Sequence, residues 1–251
     1  MNPQVRIESY ALSDIGLVRV NNEDVWAVLP KEQCFILADG MGGHQAGEVA
    51  AHEAVSHLSR KIRAFFSSEA KYIAAKELSD EIMRLLLETN AHVYTLSTQD
   101  HSLQGMGTTL CLALLVENIL TYAHVGDSRI YRIRKNRIDR LTQDHSLRDE
   151  MIAKGELSHE MIINFPYKNV ITRAIGTHSH VEPEIHTTKV LPGDTYFLCS
   201  DGLTDCLSDS EILSIISDSP TIQEAAENLV QEAKIMGGSD NITVIIFRIC
   251  S

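Results

Sequence analysis

Cys34-Phe35-Ile36-Leu37-Ala38-Asp39-Gly40-Met41-Gly42-Gly43-His44 is the stretch that decides how this chain is read. An apolar run of strand length stops at an Asp-Gly pair, where glycine frees the backbone to turn. Beyond the turn the period changes. Ala46, Ala50, Ala51, Ala54, Val55, Leu58, Ile62 and Phe65 fall on one face of a long helix.

Outward from this unit, Val25–Leu29 reads as a strand joined to Cys34–Ala38 by a Pro30-Lys31-Glu32 turn, and Arg6–Asp14 reads as a strand before it. A second helical pattern runs from Ala70 to Ser97 and carries Ile82, Leu85, Leu86, Val93 and Tyr94. Thr108–Val116, Ile119–Val125 and Ile130–Arg134 are strand-like with short turns between them, which predicts an antiparallel meander. Asp144–Thr172 is polar and irregular, with one helix expected over Ser146–Lys154. Strand signals return at Glu184–Val190 and Thr195–Cys199, followed by helices at Asp209–Ser217 and Thr221–Met236. The β-branched run Ile242–Ile249 suits a central strand covered on both faces. Strands in both halves with a helix pair after each set predict an α+β fold. Its form is a β-sandwich of two antiparallel sheets flanked on both sides by helix pairs (α/β/β/α), one domain over residues 1–251.

The chain has 251 residues, 44% hydrophobic and 22% charged, as an ordinary globular protein has. Its net charge of -12 disfavours nucleic acid or an anionic membrane as partner and asks whether some carboxylates gather around cations. Cys34, Cys111, Cys199, Cys206 and Cys250 are scattered, with no C-x-x-C pair, so neither a zinc site nor a disulfide framework is indicated. The N-terminus lacks the apolar stretch of a signal peptide, and Leu110–Val116 is too short to cross a bilayer. A cytoplasmic location is expected.

Acidic motifs stand where strands should end: Arg19-Val20-Asn21-Asn22-Glu23-Asp24, Asp39-Gly40, Gly126-Asp127-Ser128-Arg129, Ser200-Asp201-Gly202 and Ser239-Asp240-Asn241. One Asp-Gly after a strand is an ordinary turn. Several at one sheet edge bring like charges together, which is costly unless cations neutralise them. Oxygen-only ligands favour magnesium or manganese over zinc or copper. His178, His180 and His186 lack a thiolate or acidic partner at zinc spacing and read as surface residues. No G-K-[ST] follows Gly42-Gly43 and no G-x-S-x-G occurs, so a nucleotide loop and a serine hydrolase are not supported.

R-x-x-N-E-D at Arg19–Asp24, D-G-M-G-G-H at Asp39–His44, G-T-T at Gly107–Thr109, G-D-S-R at Gly126–Arg129, S-D-G-L-T-D at Ser200–Asp205 and D-N-I-T at Asp240–Thr243 occur in order. Together they resemble the bacterial metal-dependent protein phosphatases of the 2C type (the PPM family of serine/threonine phosphatases), from about Tyr10 to Phe247. The resemblance implies a β-sandwich flanked by helix pairs, with a flap subdomain at approximately residues 144–176. It implies two Mg2+ or Mn2+ ions and a third, weaker site. Asp39 would bridge two ions, the Gly40 carbonyl would bind one of them, and Asp201 and Asp240 would complete the other's shell. Glu23 and Asp24 would serve the second ion, directly or through its waters, and Asp127 with Asp201 would form the third site. Asp205 would support the site from behind. A metal-activated water would then attack the phosphorus of phosphoserine or phosphothreonine in line, with no phospho-enzyme. Arg19 would clamp the phosphate, and His44 would protonate the leaving alkoxide. The implied partners are phosphorylated proteins, a cognate Ser/Thr kinase and its targets.

Two positions depart from the pattern. Met41 follows Asp-Gly where eukaryotic members have histidine, and Phe165-Pro166 stands where many bacterial members carry His-Pro in the flap. The competing class is a pseudophosphatase, a phosphoprotein-binding module without turnover. Such proteins lose a ligand aspartate or the arginine, whereas Asp39, Asp201, Asp240 and Arg19 are all present here. A phosphatase of small phosphate esters would carry the same centre.

Overall fold

The structure, a computed structural model, describes residues 6–42, 46–67, 75–157, 161–162, 165–167 and 170–250. Two antiparallel sheets form its centre. The first orders its strands β1 (Ile7–Asp14), β11 (Ile242–Ile249), β10 (Thr195–Cys199), β7 (Arg129–Arg134) and β8 (Arg137–Arg140). The second runs β2 (Asp24–Leu29), β3 (Cys34–Met41), β5 (Leu110–Val116), β6 (Ile119–Val125) and β9 (Glu184–Lys189), with the two-residue β4 (Gly107–Thr108) beside the end of β3.

Three apolar layers hold four layers of structure together. Between the sheets, Phe35, Leu37, Cys111 and Ala113 meet Tyr196, Leu198, Ile245 and Phe247, with Phe35 and Phe247 stacked at 4.1 Å between ring centroids. Outside the second sheet, Ile36, Ala38 and Leu112 pack on α1 (Ala46–Ser67) and α2 (Ala75–Gln99) through Ala50, Leu58, Ile82 and Leu86. Outside the first, Phe197, Val244 and Ile246 pack on α5 (Asp209–Asp218) and α6 (Ile222–Ile235) through Ile212, Ile216, Ala226 and Leu229. Alternate residues of β3, β10 and β11 thus enter different cores, which is why Cys34–Ala38, Tyr196–Cys199 and Val244–Phe247 are apolar in succession. The predicted α/β/β/α sandwich is the observed one.

The helix starts carry their expected chemistry. Ser208 caps α5 in a reciprocal pair with Glu211, and Thr221 caps α6 by accepting from the Glu224 N–H. Ser146 caps α3 (Leu147–Ala153), inside the predicted Ser146–Lys154 helix. The second helix begins at Ala75; the start expected at Ala70 lies outside the described residues.

The meander expectation is corrected. β5 and β6 pair, but β7 leaves for the other sheet and pairs with β10 and β8. The Gly126-Asp127-Ser128 link is a crossing between sheets, not a hairpin, with Gly126 at φ +99° and a Cβ there 2.7 Å from the Thr109 side chain. β8 and the short α4 (Asp201–Thr204) were not anticipated, since Arg137-Ile138-Asp139-Arg140 offers a single apolar residue to read.

Candidate active site

β2 begins where β3 ends, β10 ends where β7 and β11 begin, and the Gly126–Ser128 crossing lies at the same end of the sandwich. The register therefore delivers Glu23, Asp39, Asp127, Asp201 and Asp240 to one cleft of about 350 Å3, which Arg19, Gly40, Met41, Ile171 and Asn241 also line. These stiff strand ends fix the carboxylates while leaving them open to solvent on one side.

Backbone bonds hold the pieces in place. The Asp39 N–H donates to Thr109 Oγ1 at 2.9 Å, and the Asp39 carbonyl accepts from the Thr108 hydroxyl and the Thr109 N–H, both at 2.9 Å. Thr109 Oγ1 in turn lies 2.7 Å from Ser128 Oγ, tying Asp39 to the Asp127 crossing. The Gly40 N–H donates to the Glu23 carbonyl at 3.1 Å. A Cβ on Gly40 would come within 2.2 Å of the Gly47 carbonyl, so only glycine admits the first turn of α1 here. Gly47 is equally constrained, since its own Cβ would fall 2.2 Å from Glu23 Oε2.

Arg19 reaches into the cleft from a loop of exposed residues, with Nη2 donating to Asp240 Oδ2 at 2.7 Å. Asp24 is placed differently from its neighbour Glu23. It is buried behind Asp39, accepts from Ser200 Oγ at 2.8 Å and does not line the cleft. His44 lies outside the described residues, as does Asn169 of the flap.

Sequence reasoning quoted Asn241 and Ser200 within the acidic motifs but gave them no role. Asn241 accepts from the Glu23 N–H at 2.8 Å and donates to the carbonyls of Ile15 and Asn21, both at 3.0 Å, so it braces the Arg19–Glu23 loop. Ser200 donates to Asp24 and accepts from the Thr243 N–H at 3.0 Å. Both stand beside an aspartate already singled out, and that adjacency was the available signal.

The electrostatics of the cleft are unfavourable in isolation. Desolvation, then the charges of Asp24, Asp201, Asp127 and Asp240, hold the Asp39 carboxyl well above the ordinary range. Burial, then Asp127, Asp240, Asp205 and Asp24, push Asp201 up to about 8. Burial raises Asp24 and Asp127 to about 6 each, with Asp240 adding to the first and Asp144 to the second. Asp24 Oδ1 and Asp201 Oδ1 are buried and have no hydrogen-bond partner among the described residues. Converging carboxylates with orphaned oxygens, and no lysine lining the cleft among the described residues, fit hard divalent cations, which would neutralise the charge and fill those oxygens.

The sequence profile of the family described as "Protein phosphatase 2C" matches residues 18–242. The chain belongs to the protein phosphatase 2C family. It is 37% identical over 243 residues to the protein phosphatase PhpP of Streptococcus pneumoniae, covering 96% of both chains. Among solved structures it resembles the serine/threonine phosphatase Stp1 of Staphylococcus aureus, with a TM-score of 0.90, 31% identity and 100% and 98% of the two chains covered. It also resembles the catalytic domain of the serine/threonine phosphatase PstP in complex with two manganese ions, with a TM-score of 0.84, 33% identity and 98% and 99% covered. This 2C phosphatase is thus a metal-dependent hydrolase of phosphoserine and phosphothreonine in proteins, and its relatives favour that activity over a silent binding module. No helix among the described residues is long and apolar enough to cross a membrane.

Proposed function

We propose that this phosphatase works through a paired Mg2+ or Mn2+ centre held by Asp39, the Gly40 carbonyl, Asp201 and Asp240. Glu23 serves the second ion from the cleft wall and Asp24 from behind Asp39. Asp127 with Asp201 offers a third, weaker position. The observation that carries this reading is the convergence of Glu23, Asp39, Asp127, Asp201 and Asp240 on one cleft, with buried oxygens of Asp201 and of Asp24 behind it left unsatisfied among the described residues. When bound, paired divalent ions would supply charge neutralisation and acidify a bound water.

The chain's own residues do the rest. Arg19 releases Asp240 and turns its planar fork to two phosphate oxygens. Asn241 keeps the Arg19 loop and Glu23 in register with the strand ends. Ile171 walls the cleft on the flap side, which supports assigning residues 144–176 as a flap over the substrate. His44 is the candidate donor to the leaving alkoxide. A cognate Ser/Thr kinase and its targets in the cytoplasm are the proposed partners.

Manganese titration by calorimetry beside phosphopeptide hydrolysis tests the reading. Wild-type protein should bind two ions tightly and a third weakly and turn over, while Asp39→Asn and Asp201→Asn should lose the tight binding and the turnover. Folded wild-type protein that binds no divalent ion would sink it.

A further inference from the structure

Outside the cleft, one ring nitrogen each of His124 and His145 and a carboxylate oxygen of Glu184 lie within 4.8 Å of one another. A transition metal takes such a set, but the tautomer of His145 opposes it. The Gly126 N–H donates to His145 Nδ1 at 3.2 Å, so Nδ1 keeps its lone pair and the ring proton sits on Nε2. Nε2 faces Glu184 Oε1 at 3.2 Å; Arg173 Nη1 lies 3.2 Å from Nε2 and 3.3 Å from that oxygen, so with Nδ1 taken by Gly126 and the ring proton on Nε2 the guanidinium bonds the carboxylate and not the ring. His124 Nε2 donates to the Gln143 carbonyl at 2.7 Å. That leaves the buried His124 Nδ1 with a lone pair and no hydrogen-bond partner among the described residues, but His145, with Nδ1 taken and Nε2 protonated, has none to give, so the set falls one ligand short.

His145 instead joins two walls of the cleft. Its N–H donates to the Gly126 carbonyl at 3.0 Å, so Gly126 is gripped at both its N–H and its C=O, one residue before Asp127. Its own carbonyl accepts from the Thr172 N–H at 2.8 Å, and Ser146 pairs with Ile171. The ring is 3% exposed and stacks on His124 at 4.5 Å. Burial first, then the His124 and Arg173 charges, push His145 down to about 4, so it is neutral and the stack is unopposed.

We propose that His145 is a positioning residue for catalysis. Held by Glu184 as the Nε2–H tautomer, it locks the Gly126–Asp127 crossing to the Ile171–Thr172 return, setting the Asp127 carboxylate and the Ile171 wall against the phosphoester. Its consequence for metal binding rests on the reading of Asp127 as a weak third-site ligand.

The test compares His145→Leu with His145→Asn, whose amide oxygen can replace Nδ1 as acceptor for the Gly126 N–H. Amide hydrogen exchange is followed on the metal-free protein, and kcat and KM on a phosphopeptide. In His145→Leu, exchange at residues 126–128 and 171–172 should rise together by about tenfold, the effect of one lost hydrogen bond. Its kcat should fall more than KM changes, and Asn should recover both readouts. Unchanged exchange, or Asn no better than Leu, overturns the proposal. If His145→Leu does not fold, Glu184→Leu carries the test. The same two segments should loosen together there, and their failure to do so overturns the proposal. Asp127→Ala separates the two readings by manganese calorimetry. Retention of every ion refutes the Asp127 assignment, while the exchange result still decides His145.

Discussion

Asp24 and Asp39 stand opposite each other across β2 and β3, yet only Asp39 lines the cleft. Asp24 is held from behind by the Ser200 hydroxyl at 2.8 Å, with its other oxygen lacking a hydrogen-bond partner among the described residues. One strand pair thus presents a carboxylate to solvent and stores a second beneath it. Ser200→Ala removes the donor to a buried carboxylate and the acceptor of the Thr243 N–H, and should cost about 2 kcal/mol of stability. Denaturant unfolding of the metal-free protein measures this.

The metal-free protein should lose stability as pH rises. Asp24 and Asp127 at about 6 and Asp201 at about 8 sit above the ordinary aspartate value near 4, and Asp39 is raised as well. For acids raised on folding, the folded state binds more protons between the unfolded and folded pKa values. The stabilising protonation is therefore complete below about pH 4 and is lost as pH rises from about 4 to 8. Melting temperatures taken in chelator across this window should trace that contribution downward, and saturating manganese should reverse it. Asp39→Asn should melt higher than wild type in chelator at pH 8, because it removes one of the repelling charges.

Gly47→Ala lies inside a helix, where alanine is ordinarily worth about 1 kcal/mol over glycine. The sign should invert here, because the new methyl would meet Glu23 Oε2 and the Gly40 backbone. Lower melting temperature together with weaker manganese binding is the expected result, read by scanning and titration calorimetry.

Arg19 pairs with Asp240 at a half-exposed position, and such pairs contribute roughly 0–1 kcal/mol. Arg19→Lys should leave the melting temperature within a degree or two of wild type. It should raise KM for phosphopeptide about tenfold, since an ammonium cannot replace the bidentate fork. A KM equal to wild type would remove Arg19 from the phosphate site.

Asn241→Ala strips three bonds from the loop that carries Arg19 and Glu23. Activity should fall about 10- to 100-fold, as when residues behind metal ligands are lost. The unfolding midpoint should drop by less than for Ser200→Ala, because the loop is partly solvated.

Much of this molecule was written locally. The almost wholly apolar run Ile242–Ile249 declared a doubly covered strand, Cys34–Ala38 and Thr108–Val116 read as strands, the 3.6-residue stripe after Ala46 declared a helix, and the order of the motifs named the candidate carboxylates. These features are legible because periodicity and turn chemistry depend on near neighbours. Tertiary structure decided what depends on register between distant strands. It sent β7 to the opposite sheet through Gly126, buried Asp24 while exposing Asp39, and placed Asn241 as a brace for a loop more than 200 residues earlier. It also set the tautomer of His145, since a neutral imidazole's proton goes where its partners require and those partners, Gly126 and Glu184, lie on two segments far from it in the chain.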